Sequence, residues 1–278
     1  MPYLVGYEGT QLYFEDWGRG RPLVFIPGHM SPHDVFVEQP YGLGRRFRVV
    51  VYDRRGTGLS AKEGTDFSID SNVADLRAVI AGLELKGAVL VGWSMGGILA
   101  LRYLERYGAR GVGGLVLVGS GPRTWAGPNN EYPLANSLAQ LGELSGEIHG
   151  PLAYLEVIAN LGRAFTHRPL PEEVRAWLVG ALLRTPAFVR AKENTEVGRA
   201  DMREFLTHVN VPALVLHGAH DRIMPHAMGQ DLARHVPGAH LVTFQESGHM
   251  PFLEEPVRFN EELTEFVAGL GGTDERHR

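Results

Sequence analysis

Ala88-Val89-Leu90-Val91-Gly92-Trp93-Ser94-Met95-Gly96-Gly97-Ile98-Leu99-Ala100-Leu101 is the stretch that decides the fold. Its first four residues are an apolar run suited to a buried strand, and the residues after Gly96 are suited to a helix. Between them stands G-x-S-x-G, Gly92 to Gly96. In the order strand, sharp turn, helix, this pentapeptide is a nucleophile elbow. The two glycines leave room for a strained serine, because a Cβ at either place would crowd the strand or the helix. Ser94 is therefore the candidate nucleophile, presented beside the positive end of a helix.

Working outward, similar short apolar runs recur at 23–26, 49–52, 115–118, 213–216 and 241–244. Strands covered on both faces of a parallel sheet read this way. Ahead of them, Tyr3–Tyr7 and Leu12–Trp17 flank Glu8-Gly9-Thr10 and read as a hairpin. Helical spacing lies between the strands, from Ser71 to Leu83 with Asp70 or Ser71 as its cap, and from Pro256 to Leu270. This alternation predicts an α/β fold with a mixed, mainly parallel sheet flanked by helices. It stops after Gly121. Pro151–Phe165 and segments opened by Pro171 and Pro186 read as helices, and no strand pattern appears between 122 and 207. The expected organisation is a core of residues 1–121 and 208–278, with an inserted helical cap of residues 122–207.

The composition suits a soluble globular chain: of 278 residues, 44% are hydrophobic and 21% charged, and the formal net charge is −5. That balance argues against a general nucleic-acid binder. With no cysteine there is no disulfide framework and no thiolate nucleophile. Neither a signal-peptide pattern nor a membrane-span pattern is visible, so a cytoplasmic protein without a membrane partner is expected.

A serine hydroxyl needs a base and a group that orients the base. Two loops after strands offer them. His217-Gly218-Ala219-His220-Asp221 places Asp221 past the carboxyl end of a strand, where open α/β sheets bind ligands. Glu246-Ser247-Gly248-His249-Met250-Pro251-Phe252 presents His249 after the last strand. Ser94, Asp221 and His249 follow the order nucleophile, acid, base. His220 is the rival base, and Glu246 and Glu254 are the rival acids.

With these motifs in order, the chain resembles the capped serine hydrolases of the α/β-hydrolase superfamily, in its carboxylesterase and enol-lactonase-like branch. Asp53-Arg54-Arg55-Gly56-Thr57-Gly58-Leu59-Ser60 is similar to the family's D-x-R-G-x-G-x-S loop, which is structural there. The preceding candidate position for the acid, Gly119-Ser120-Gly121-Pro122, carries no carboxylate. The resemblance implies an oxyanion hole made by the backbone N–H of Met95 and of His29, with Met30 as the rival of His29. Pro27-Gly28-His29 stands where the family often has His-Gly-x.

His217-x-x-His220 and His29-x-x-x-His33 do not read as a metal site, and Gly56-x-Gly58 lacks the context of a dinucleotide loop. No cofactor and no metal is expected. Trp93, Trp125, Met250 and Phe252 are the candidate pocket residues, and an apolar lining favours an uncharged acyl or alkyl substrate. Other cap aromatics (Tyr132, Tyr154, Phe165, Trp177, Phe188) read mainly as cap core. The reading is a serine hydrolase of small carboxylic esters. A lactone or enol-lactone hydrolase is the runner-up. A lyase using the same triad, or a small-molecule receptor, are the readings from other classes. The sequence carries no signal of oligomeric state.

Overall fold

The computed structural model describes residues 2–64, 66–123 and 151–271. Eight strands form one sheet: β1 Tyr3–Val5, β2 Gln11–Gly18, β3 Pro22–Ile26, β4 Arg48–Tyr52, β5 Ala88–Trp93, β6 Val112–Val118, β7 Ala213–Gly218 and β8 His240–Phe244. Their order is β1-β2-β4-β3-β5-β6-β7-β8. β1 and β2 pair antiparallel, β2 runs antiparallel to β4, and every pairing from β4 to β8 is parallel. The sequence runs match these strands to within two residues, except that β6 begins three residues earlier, through Val112-Gly113-Gly114; a strand buried on both faces has no polar side to interrupt its pattern.

The helices are α1 Glu38–Leu43, α2 Ile69–Gly82, α3 Met95–Tyr107, α4 Pro151–Ala164, α5 Glu172–Leu182, α6 Ala187–Arg199, α7 His226–His235, α8 Pro251–Glu254 and α9 Pro256–Gly269. Helix α2 begins two residues earlier than its apolar spacing indicates. Its cap is Ser68, whose side chain accepts the N–H of Ser71 at 3.2 Å, in place of Asp70 or Ser71. Helices α4, α5 and α6 fall between β6 and β7, as the prolines indicate. Trp125 and Tyr132 lie outside the described residues.

Two apolar clusters sandwich the sheet. One includes Leu23, Phe25, Val91, Trp93, Leu216, Phe252 and Phe259, and the other Val24, Ile26, Leu90, Ile98, Leu101 and Val215. Alternate residues of a strand point to opposite faces, so β3 and β5 feed both clusters. The chain passes from β3 to β4 on one side, then returns to β5 on the other. Strand order reverses there, and the place beyond the carboxyl ends of β3 and β5 is where open α/β sheets bind ligands.

Candidate active site

Ser94 follows β5 directly and precedes α3, with φ 55° and ψ −121°. A residue with a Cβ is strained in this conformation, and the strain persists only where its surroundings over-determine it. They do. Ser94 N donates to Val118 O at 2.8 Å, and Ser120 Oγ donates to Ser94 O at 2.8 Å. A Cβ on Gly92 would strike Gly96 O, and one on Gly96 would strike Ile26 O. Both glycines are therefore required by close backbone approach.

Ile26 pairs with Gly92, so the loop after β3 lies beside the elbow. A Cβ on Gly28 would stand 3.1 Å from Ser94 Cβ. Met95 is the first residue of α3, and its N–H is one of the helix donors with no carbonyl in its own helix. The N–H of Met30 is taken by Glu193 Oε2 at 3.1 Å. The N–H of His29 has no acceptor among the described residues. Of the two rivals in this loop, His29 keeps the available donor.

Asp221 and His249 meet by the same strand-end logic. Asp221 lies just past β7, and Asp221 Oδ1 accepts the N–H of Ile223 and of Met224, each at 2.8 Å. Its Oδ2 stands 2.8 Å from His249 Nδ1. Burial works to raise the Asp221 carboxyl, but His249 and His217 outweigh it and hold the group far below the usual carboxylate range. The pair packs against residues adjoining the elbow and the end of β6. Trp93 Nε1 donates to His249 O at 2.8 Å. A Cβ on Gly119 would stand 3.0 Å from His249 O and 3.3 Å from Asp221 Oδ2. Among the described residues no hydrogen bond joins Ser94 Oγ to His249, a bond that commonly tightens only with substrate in place.

The rivals are committed elsewhere. His220 is exposed and stacks on His167, with ring centroids 3.7 Å apart. Glu246 pairs with Arg168. Glu254 accepts the N–H of Gly248 at 2.7 Å and of His167 at 2.6 Å. Trp93, Met250 and Phe252 are packed in the core, exposed by 1%, 0% and 0%. Trp93 sits edge-on to Phe165 and Phe252.

The Asp53–Ser60 segment is held by buried polar contacts of its own. Asp53 accepts the N–H of His33 and of Leu59, each at 2.6 Å, and stands 2.8 Å from His33 Nδ1. Arg55 forms a two-pronged pair with Asp75. One functional neighbour escapes sequence reasoning: buried His217, whose Nε2 stands 2.7 Å from Met224 O and 3.4 Å from Asp221 Oδ2. A histidine inside an apolar strand pattern was the available signal. Among the described residues no group of three or more His, Asp or Glu is arranged to hold a metal ion, and no helix is long and apolar enough to cross a membrane.

A model described as "Alpha/beta hydrolase family" matches residues 23–262. The chain belongs to the alpha/beta hydrolase family. It is 31% identical over 265 residues to the AB hydrolase superfamily protein YisY of Bacillus subtilis (strain 168), covering 95% of this chain and 98% of that one. It is 30% identical over 249 residues to a non-heme haloperoxidase of Rhodococcus erythropolis, covering 84% of this chain and 86% of the other. Among solved structures, an esterase (EaEST) from Exiguobacterium antarcticum superimposes with a TM-score of 0.89 at 27% identity, over 96% of this chain and 98% of the esterase. The likeness runs through this alpha/beta hydrolase nearly from end to end, and its fold is that of the esterase.

Proposed function

We propose that this alpha/beta hydrolase cleaves carboxylic esters of small, largely apolar substrates through an acyl-enzyme. Ser94 Oγ attacks the ester carbonyl and its proton passes to His249 Nε2. Asp221 holds the imidazole by Nδ1 and stabilises the imidazolium. The carbonyl electron pair moves onto oxygen, where the N–H groups of His29 and Met95 receive it. Collapse expels the alcohol, which takes the proton from His249, and water then releases the acid with His249 again as base. In this reading residues 1–121 and 208–278 are the catalytic core, and residues 122–207 are a cap over the crevice. The observation that supports it most strongly is Ser94 at φ 55° beside the bonded His249–Asp221 pair.

The test is hydrolysis of a p-nitrophenyl acyl-chain series by the wild type and by Ser94→Ala. We expect Ser94→Ala to lose about three or more orders of magnitude in kcat. Equal turnover by the two proteins would remove the serine mechanism. A wild type inactive on every chain length would move the substrate from simple esters to lactones.

A further inference from the structure

Three polar groups of the loop after β3 are fixed by side chains from distant elements. Arg54 Nη2 donates to Gly28 O at 2.8 Å, Glu193 Oε2 accepts the N–H of Met30 at 3.1 Å, and Thr185 Oγ1 donates to Met30 O at 2.8 Å. Arg54, Glu193 and Thr185 are all fully buried. Glu193 lies on α6 and Thr185 just before it, 163 and 155 residues along the chain from Met30. Arg54 and Glu193 are themselves paired through both Glu193 oxygens, and Arg54 also reaches Asn72 Oδ1 at 3.2 Å.

Planarity of the peptide turns these contacts into an aiming device. Gly28 C=O and His29 N–H belong to one rigid trans unit and point in opposite directions. Fixing Gly28 O therefore fixes the direction of the His29 N–H. Met30 holds φ 52°, a region unfavourable for a residue with a Cβ, and its two polar groups are held by Glu193 and Thr185. The carboxylate stays charged. Burial would raise Glu193, but Arg54, with His29, holds it below the usual carboxylate value. Arg54 in turn offsets a negative charge that would otherwise oppose an oxyanion nearby.

We propose that Glu193 and Thr185 are positioning residues for the oxyanion donor His29 N–H, so that seating of the α5–α6 segment completes the hole. The proposal rests on the Ser94 acyl-enzyme reading. It also gives the buried ion pair a purpose, since such pairs contribute little net stability on their own.

The test compares Glu193→Ala, Glu193→Gln and Thr185→Val with the wild type and Ser94→Ala. Each is assayed on a p-nitrophenyl ester and for inhibition by an aryl trifluoromethyl ketone. Addition of Ser94 Oγ to that ketone places an oxyanion where the ester's would be, with the serine proton moving to His249. Glu193→Ala should lower kcat about 10- to 100-fold with KM within about twofold, and should weaken the ketone by the same factor as kcat/KM. Glu193→Gln, which keeps an acceptor for Met30 N–H, should recover part of kcat. Thr185→Val should lower kcat by a smaller factor. Unchanged kcat in Glu193→Ala or Thr185→Val overturns the proposal. So does a loss of kcat that the ketone does not follow, or a Glu193→Gln no better than Glu193→Ala. Should Glu193→Ala fail to fold, Thr185→Val decides alone by the same criteria. If Ser94→Ala retains wild-type turnover, the acyl-enzyme reading fails. If only the Glu193 and Thr185 variants are silent, the positioning role fails and that reading stands.

Discussion

Gly119→Ala perturbs the proposed site without removing a functional group. Gly119 has φ 47°, and its added Cβ would meet His249 O at 3.0 Å, His249 Nδ1 at 3.2 Å and Asp221 Oδ2 at 3.3 Å. Each approach is a few tenths of an ångström inside ordinary contact; the first atom is the main-chain carbonyl of His249, and the other two are the bonded imidazole nitrogen and carboxylate oxygen. The left-handed backbone costs about 1–2 kcal/mol once a Cβ is present. Loss of unfolded-state freedom returns about 0.4–1 kcal/mol. Net destabilisation is then about 1 kcal/mol plus the steric term, a fall in Tm of about 2–4 °C for a chain of this size. The larger effect should be kinetic. Displacing His249 from its line to Ser94 by a fraction of an ångström should lower kcat/KM about 10- to 100-fold. Gly238→Ala is the matched control, with φ 69° and nothing within 4 Å of its Cβ. It should share the backbone penalty and keep wild-type kinetics. Calorimetry and p-nitrophenyl ester kinetics on both variants read the two effects separately. A folded Gly119→Ala with kcat/KM within twofold of wild type would refute the reasoning that these contacts hold the catalytic pair in register.

Asp221→Asn should lower kcat by about 10³- to 10⁴-fold with little change in KM. Oδ1 is claimed by two backbone N–H groups, so the new amide N–H₂ faces His249 Nδ1 and leaves Nε2 protonated, unable to take the serine proton; a pH–rate profile like the wild type's would contradict this. His33 behaves in the opposite sense to Asp221. Burial would lower it, but its hydrogen bond and charge interaction with Asp53 raise it above 6.5. Its contribution is complete below the unfolded value and is lost as pH rises through the folded one. The urea-midpoint difference between wild type and His33→Gln should therefore be larger near about pH 6 than about pH 9, and a constant difference would count against the pair. Asp75→Asn leaves buried Arg55 without a carboxylate and should cost about 3–5 kcal/mol in urea unfolding. A loss below about 1 kcal/mol would show that water replaces the partner.

Legibility followed chemistry that is local in sequence. Gly92 and Gly96 are required by backbone contacts that recur wherever a strand turns sharply into a helix, so the elbow can be read from five letters. Asp221 stands out because it ends an apolar strand. Its rivals differ from it only in their tertiary partners: Glu246 pairs with Arg168, and Glu254 accepts the N–H groups of Gly248 and His167, while Asp221 stands against His249. Ser68 is hidden as the cap of α2 because Ile69-Asp70 interposes before the apolar spacing becomes regular. Glu193 was illegible for a different reason. Its neighbours, Ala191-Lys192-Glu193-Asn194-Thr195-Glu196, read as a solvated face, and its partner Arg54 is 139 residues away. Trp93 shows the limit of proximity as a guide. It adjoins Ser94 in sequence, yet its ring packs into the core, 1% exposed, while Ser94 is 9% exposed.

One main-chain bond constrains how this protein can be rebuilt. The N–H of His249 donates to Phe165 O at 2.7 Å, immediately after the last turn of α4, and Glu254 ties the same two loops together. The histidine loop and residues 165–168 are thus one mechanical unit, although Phe165 and His249 lie 84 residues apart in sequence. A chimera that transplants a relative's helical segment to change substrate range must bring a carbonyl to the place of Phe165 O. Grafts chosen by pocket shape alone would trade specificity for a misplaced imidazole. The junction to preserve is residues 165–168, and the exchange of parts should begin upstream of it.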